Sequence, residues 1–239
     1  QLAALRWLYL QSASQPNRVF YRRDASGAYP IHAIMIANNE PAIALCVELY
    51  RRNHVSLLLQ RHGPGFFTNE HGLHVLAVNR REDELCEVIS IAKEYLSISQ
   101  YQELFNIQAT GGFFRGPLTT FYGGSLINFA AAFGLNRAVK QIVELDAARG
   151  LPSRLSDYSL ACTVTGFLPV HCAVANGRLS TYDLITANYT EESEEVDTPR
   201  TGTRLSRALT VPSSFRSGHG SGDPTPPRHP TPPLPAIPP

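Results

Sequence analysis

The chain lacks both a net charge and a long apolar run, and these two absences exclude several classes of protein. Its 21 Lys and Arg balance 20 Asp and Glu, so the formal net charge is +1 over 239 residues. No global field therefore favours nucleic acid, an anionic membrane or an acidic substrate as a partner. The best uncharged stretch, 158–177, contains Gly166, Pro169 and His171. Because a spanning helix needs about 20 predominantly apolar residues, we expect no membrane span here.

Catalytic motifs are also missing. The sequence has no Walker loop, no HExxH, no nucleophile elbow and no dinucleotide fingerprint beside a strand. Its one glycine-rich run, 218–222, is not followed by a helical pattern. The sequence therefore predicts a protein that is not an enzyme and that needs no cofactor.

Cysteine is scarce and lacks any metal-binding spacing. The four cysteines are Cys46, Cys86, Cys162 and Cys172, and no pair forms a Cys-x-x-Cys motif. This pattern favours buried free thiols over a metal site or a disulfide, and hence a reducing compartment. No signal or targeting segment is visible, which predicts a cytoplasmic location.

The chain contains instead a unit that repeats four times. Each copy opens with a short apolar stretch, continues through a polar turn, and ends in a second apolar-periodic stretch. The openings lie at 29–32, 72–74, 126–128 and 168–171, and the turns lie at 38–39, 79–81, 134–136 and 176–177. This pattern predicts stacked helix–turn–helix repeats that start near 27, 69, 123 and 166. Such stacks usually bind partners rather than catalyse reactions.

The openings share a short motif. They read Leu-Pro-Val-His at 168–171 and Tyr-Pro-Ile-His at 29–32, while Asn128 stands in the third copy where histidine is expected. The pattern resembles the ankyrin repeat, whose signature is Thr-Pro-Leu-His. The resemblance implies an all-α ankyrin-repeat solenoid with about four repeats, in which the histidine holds the turn through backbone hydrogen bonds. The residues given this structural role are Pro30, His32, His74, Asn128, Pro169 and His171.

The repeats are longer than the ordinary ankyrin period of about 33 residues. Successive motif positions, His32, His74, Asn128 and His171, lie 42, 54 and 43 residues apart. Insertions in a solenoid fall in loops on one face, often the binding face. The surplus therefore predicts long finger loops or extended outer helices, such as one over 82–96.

The longest insertion has the most distinctive residues. It reads Gly-Gly-Phe-Phe-Arg-Gly-Pro at 111–117 and Phe-Tyr-Gly-Gly at 121–124, and the third repeat's inner helix pattern follows directly. This order resembles the enlarged third finger of vanilloid-type transient receptor potential (TRPV) cation channels. In that family an aromatic pair after a glycine-rich loop precedes a Tyr-Phe-Gly-Glu-like strand and a Pro-Leu-Ser-like inner helix.

The resemblance to TRPV channels covers roughly residues 68–187, and more loosely 25–67. Gly124 stands where the family has an acidic residue, and Asn128 stands where it has Ser or His. Nothing in the chain resembles the pore.

The resemblance implies a role for the insertion. The chain would be part of the cytosolic N-terminal domain of a calcium-permeable channel, on the cytoplasmic side of the plasma membrane. Subunits would form a homotetramer, with the third finger on a neighbouring subunit and the membrane reached only through regions absent here. The candidate contact residues are Phe113, Phe114, Arg115, Phe121 and Tyr122. The alternative is that two or more of these aromatics pin the finger against the repeat below.

The two ends differ from the repeats. The stretch 1–24 begins with Gln1 and is expected to be the end of a preceding helix or repeat and a loop in a fragment. The repeat domain spans 25–189. The stretch 190–239 is acidic, then rich in Ser, Thr and Pro, and is expected to be disordered.

The tail leaves two functions open. Its PxxP spacings at 224–227 and 232–235 suit SH3 or WW modules, although a plain linker is the simpler interpretation. A free-standing ankyrin scaffold that tethers signalling partners is therefore the alternative to the channel domain.

Overall fold

The computed structural model describes residues 20–51, 55–111 and 121–194. These ranges are helical and contain no strand, so the all-α prediction is confirmed for them. Among the described helices, none combines the length and the hydropathy of a membrane-spanning segment. The predictions for 1–19, for the aromatics at 113–114 and for the tail beyond 194 fall outside the described residues.

Most helices of the described ranges come in pairs, a short helix followed by a longer one. They are α1 (Pro30–Ile36), α2 (Glu40–Arg51), α3 (Gly72–Val78), α4 (Glu82–Tyr95), α5 (Ile98–Asn106), α6 (Leu126–Phe133), α7 (Asn136–Ala148), α8 (Pro169–Ala175) and α9 (Leu179–Glu194). Short 3₁₀ turns occur at Val55–Leu57 and Tyr158–Leu160. The pairs are α1–α2, α3–α4, α6–α7 and α8–α9. The last helix continues beyond the predicted domain boundary at 189.

The sequences of the four pairs can be aligned without a gap, from the residue that caps the first helix to the middle of the second helix. The residue nine positions after the cap has a positive φ in every pair. These residues are Asn38 (φ 49°), Arg80 (57°), Gly134 (76°) and Gly177 (64°). The left-handed conformation reverses the chain between the two helices, which is why glycine or asparagine is favoured there. Arg80 adopts it without that advantage.

The pairs stack in two rows. The first helices contact one another in the order α1, α3, α6, α8, and the second helices in the order α2, α4, α7, α9. Equivalent residues of the second helices face the first row and are fully buried: Cys46, Val88, Ile142 and Ile185. The hydrophobic core is therefore continuous from one pair to the next.

At the start of each pair, one polar side chain forms a capping hydrogen bond with the backbone. It belongs to the third residue of the first helix, and its ring nitrogen or amide oxygen accepts the backbone N–H of the capping residue. The bonds join His32 to Tyr29 (3.2 Å), His74 to His71 (3.5 Å), Asn128 to Ser125 (3.1 Å) and His171 to Leu168 (3.1 Å). We call these four the N3 side chains. They satisfy a backbone donor that the helix itself leaves unpaired.

Two of the N3 side chains also reach the segment in front of the next pair. His32 Nε2 donates to the carbonyl of Gln60 (3.1 Å), and Asn128 Nδ2 donates to the carbonyl of Phe167 (3.1 Å). In the second pair the equivalent bond comes from the capping residue, since His71 Nε2 donates to the carbonyl of Leu104 (2.9 Å). Each of these bonds ties one pair to the next.

Helix α5 fills the longest spacing between repeats and was not predicted. Ser97 Oγ accepts the backbone N–H of Gln100, and the Gln100 side chain accepts the N–H of Ser97, which closes a capping box. Its buried Tyr101 donates to Asp146 of α7 (3.0 Å). Arg154 forms an ion pair with the same carboxylate, and both charged side chains are almost completely buried. Removal of one partner of such a pair is strongly destabilising. Arg154 Nε also donates to Asn106 of α5 (3.0 Å), so the ion pair joins α5 to α7.

The cysteines are mostly as predicted. Cys46, Cys162 and Cys172 are buried free thiols, whereas Cys86 is only half-buried because it lies towards the outer face of α4.

We expect Asn128→Ala to lower the free energy of unfolding by about 2 kcal/mol, because it leaves the buried N–H of Ser125 without an acceptor and removes the bond to the carbonyl of Phe167. Asn128→His should lower it less, since histidine makes both bonds in the first pair. Urea denaturation measures the difference. Asn188→Ala is the matched control, because Asn188 bonds only within its own helix, to Leu184. Equal losses for Asn128→Ala and the control would contradict the assigned role.

Candidate functional site

The loops in front of the first helices form one connected surface. We define this loop surface as residues 24–28, 58–70, 107–111, 121–124 and 161–167. Backbone hydrogen bonds join each loop to its neighbour. The donors and acceptors are Gly63 N to Gly27 O (2.8 Å), Thr110 N to Thr68 O (3.0 Å), Gly123 N to Ala109 O (2.7 Å) and Thr163 N to Tyr122 O (2.8 Å). The described loops are therefore held in place before any partner arrives.

Two glycines allow the loops to approach so closely. A Cβ on Gly111 would lie 2.3 Å from the carbonyl oxygen of Phe66. A Cβ on Gly123, whose φ is 74°, would lie 1.9 Å from Thr163 Oγ1. Real side chains do not tolerate such distances, so these positions accept glycine only.

The predicted finger residues divide into two groups. Phe113, Phe114 and Arg115 lie outside the described residues. Phe121 is 7% exposed, and its ring centroid lies 6.0 Å from that of Phe129 and 6.2 Å from that of Phe133. Tyr122 is partly buried beside it. Phe121 therefore packs on α6.

An exposed aromatic residue that sequence reasoning missed lies in an earlier loop. Phe66 is 59% exposed, and its ring stands perpendicular to that of Phe67 at 5.2 Å. The sequence could have indicated Phe66, because Gly-Phe-Phe occurs at 65–67 and again in the predicted finger at 112–114. Exposed aromatics on a fixed backbone suit protein contacts, since they bury large areas with few rotatable bonds.

A polar cleft of about 340 Å³ opens between the loop surface and α5. Its lining includes the ion pair of Arg61 with Glu103 and the polar side chains of Asn69, Asn106, Gln108 and Thr110. Because the two charges compensate each other, the cleft offers hydrogen-bonding groups rather than a strong field of one sign.

The buried titratable groups behind the loops carry little charge at neutral pH. Burial lowers the pKa of His32 to about 4 and that of His74 to about 3, and it holds the pKa of His71 well below 6.5. Burial also raises the pKa of Glu70 from 4.5 to about 8. In their neutral form His32 and His71 each accept a backbone N–H and donate to a backbone carbonyl, and His74 accepts the N–H of His71. In the described ranges, no group of three His, Cys, Asp or Glu residues is placed to hold a metal ion.

No protein-family model matches the chain, and no curated protein matches it.

The close approach of the loops can be tested at Gly123. We expect Gly123→Ala to lower the free energy of unfolding by more than about 3 kcal/mol, because the new Cβ adds a clash with Thr163 to the strain of a positive φ. Gly177→Ala is the matched control: its φ is 64° and nothing lies within 4 Å of the added Cβ. The control should lose about 1 kcal/mol. Thermal and urea unfolding that gave equal losses would contradict the packing of these loops.

The carboxyl group of Glu70 predicts how the free energy of unfolding depends on pH. Its pKa is higher in the folded than in the unfolded chain, so the folded state binds the extra proton between pH 4.5 and about 8. Stability from this group is present below pH 4.5 and is lost as the pH rises through 8. We expect Glu70→Gln to unfold like wild type at pH 4.5 and to be more stable at pH 9, by up to about 5 kcal/mol, since each unit of the pKa shift corresponds to about 1.4 kcal/mol.

The control for Glu70→Gln is Glu144→Gln, an exposed carboxylate that pairs with Lys140. The histidines titrate equally in both proteins and cancel in the comparison. A stability difference that stayed constant from pH 4.5 to pH 9 would contradict the burial of Glu70.

Proposed function

We propose that this chain is a protein-binding domain built from ankyrin-type repeats, with its binding surface on the loops. The observation that carries the proposal is the fourfold, gapless recurrence of one helix pair with the same N3 side chain in the same role. Because every pair presents its loop on the same side, the loops of successive pairs form a single extended surface. A surface with its backbone already fixed loses less entropy when it binds.

Within that class, the domain belongs to a TRPV-like calcium-permeable channel and mediates subunit contacts and gating. The resemblance of the 111–124 insertion to the third finger of TRPV channels supports this assignment. The base of the insertion is closed by two backbone bonds, Ala109 N to Gly124 O (3.0 Å) and Gly123 N to Ala109 O (2.7 Å). Phe121 anchors that base on α6. The described residues on either side of 112–120 are therefore held together, as a contact finger requires at its base.

A second candidate is a scaffold that tethers signalling proteins. The PxxP spacings at 224–227 and 232–235 favour it, because such segments dock on SH3 and WW domains. Under this proposal the loop surface binds one partner and the proline-rich segment recruits another.

The experiment replaces residues 112–120 with a short Gly-Ser linker in the full-length protein encoded by the transcript. Because the base of the insertion is closed by its own hydrogen bonds, the helical content and the melting temperature should stay unchanged. Calcium current and tetramer assembly should fall strongly. Patch-clamp recording and blue-native electrophoresis provide the two measurements.

Two outcomes distinguish the candidates. Tyr158→Ser is the matched control, because it removes an aromatic that is 77% exposed and lies outside the loop surface, and it should leave assembly intact. Normal currents with the linker variant would contradict the finger's role. A full-length protein without current that binds SH3 or WW domains through 224–235 would favour the scaffold.

A further inference from the structure

Two buried thiols lie close together where the 161–167 loop meets helix α8. Cys162 Sγ and Cys172 Sγ lie 3.9 Å apart, and neither residue is exposed. A tight turn brings them together, since Gly166 N donates to the carbonyl of Cys162 (2.7 Å) and Cys162 N donates to the carbonyl of Phe167 (2.9 Å). The turn folds Cys162 back over the first turn of α8, which carries Cys172.

The two thiols have different surroundings. The Cys162 thiol lowers the pKa of Cys172 by hydrogen bonding, and the amide of Asn128, 3.8 Å from Cys172 Sγ, lowers it further. The same contact raises the pKa of Cys162, and burial adds to the effect. Because the thiolate is the nucleophile in thiol oxidation, Cys172 is the sulfur that reacts first and Cys162 is the one that follows.

We propose that Cys162 and Cys172 form a reversible disulfide when the protein meets hydrogen peroxide. The Cys172 thiolate attacks one peroxide oxygen, so an S–O bond forms, the O–O bond breaks and hydroxide leaves. The Cys162 thiolate then attacks Cys172 Sγ, so the S–S bond forms and the S–O bond breaks with loss of a second hydroxide. The two thiol protons convert both hydroxides to water. Overall, two thiols and one peroxide give one disulfide and two waters.

The turn above the pair permits this reaction. Residues 163–166 are exposed, and Val164 is 57% exposed. Short surface turns open locally at little free-energy cost, which admits a molecule as small as peroxide. The sulfurs must then close to about 2.05 Å, a movement that the same turn can supply.

The other cysteines differ from this pair. Burial raises the pKa of Cys46 to about 12. The pKa of the half-buried Cys86 is raised to about 11, by burial and then by the charge of Glu82. Neither thiol has its pKa lowered as that of Cys172 is, so peroxide should oxidise the Cys162–Cys172 pair selectively. The disulfide would fix the 161–167 loop to α8, at one end of the loop surface.

The experiment uses the full 239-residue chain, reduced and then treated with hydrogen peroxide. Remaining thiols are alkylated after denaturation, and peptides are identified by mass spectrometry. We expect Cys162 and Cys172 to escape alkylation together, in a peptide that lacks the mass of two hydrogen atoms. Cys46 should remain fully alkylated, and dithiothreitol should restore all four thiols.

A variant tests the order of attack. Cys162→Ser should leave a sulfenic acid at Cys172 that a dimedone probe captures, while the control Cys46→Ser should form the disulfide as wild type does. Alkylation of Cys162 and Cys172 to the same extent as Cys46 in the treated wild type would overturn the proposal. A cross-link found only between different chains would overturn it as well.

Discussion

Each helix pair depends on one polar side chain at the third position of its first helix. The N–H of the capping residue is buried or partly buried and has no helical carbonyl to bind. An unpaired buried donor costs about 1–3 kcal/mol, and the N3 side chain removes that penalty. In His32 and Asn128 the remaining polar atom binds a carbonyl of the next segment. In these two pairs one residue therefore fixes both the turn and its contact with the next segment, and in the second pair the capping residue His71 makes the second bond.

This arrangement explains properties that extend beyond the N3 residues. The histidines must stay neutral to accept a backbone N–H, and burial keeps the pKa of His32 and of His74 well below neutrality. Because the register is fixed, successive loops meet at constant separation and bond through their backbones. Gly111 and Gly123 are required where those backbones come too close for a Cβ. The loop surface is thus a consequence of the stacking.

The sequence predicted the parts of the fold that local pattern controls. The N3 residues and the helix pairs follow from a motif whose spacing is visible along the chain. Helix α5 was missed, although Ser97 and Gln100 form a readable capping box, because its burial depends on Asp146 and Arg154 far along the chain. The packing of Phe121 on α6 and the meeting of the two cysteines span only 8 to 12 residues. They depend on how each loop folds back onto the helix that follows it, which the helical pattern does not show.

The most direct test of this account is native-state hydrogen exchange at the capping amides. The N–H groups of Tyr29, Ser125 and Leu168 precede their helices and have no helical partner, yet each donates to an N3 side chain. The account predicts that these three amides exchange as slowly as amides inside the neighbouring helices. Exchange at the rate of unprotected backbone would contradict it, and the N3 side chains would then not hold the stack.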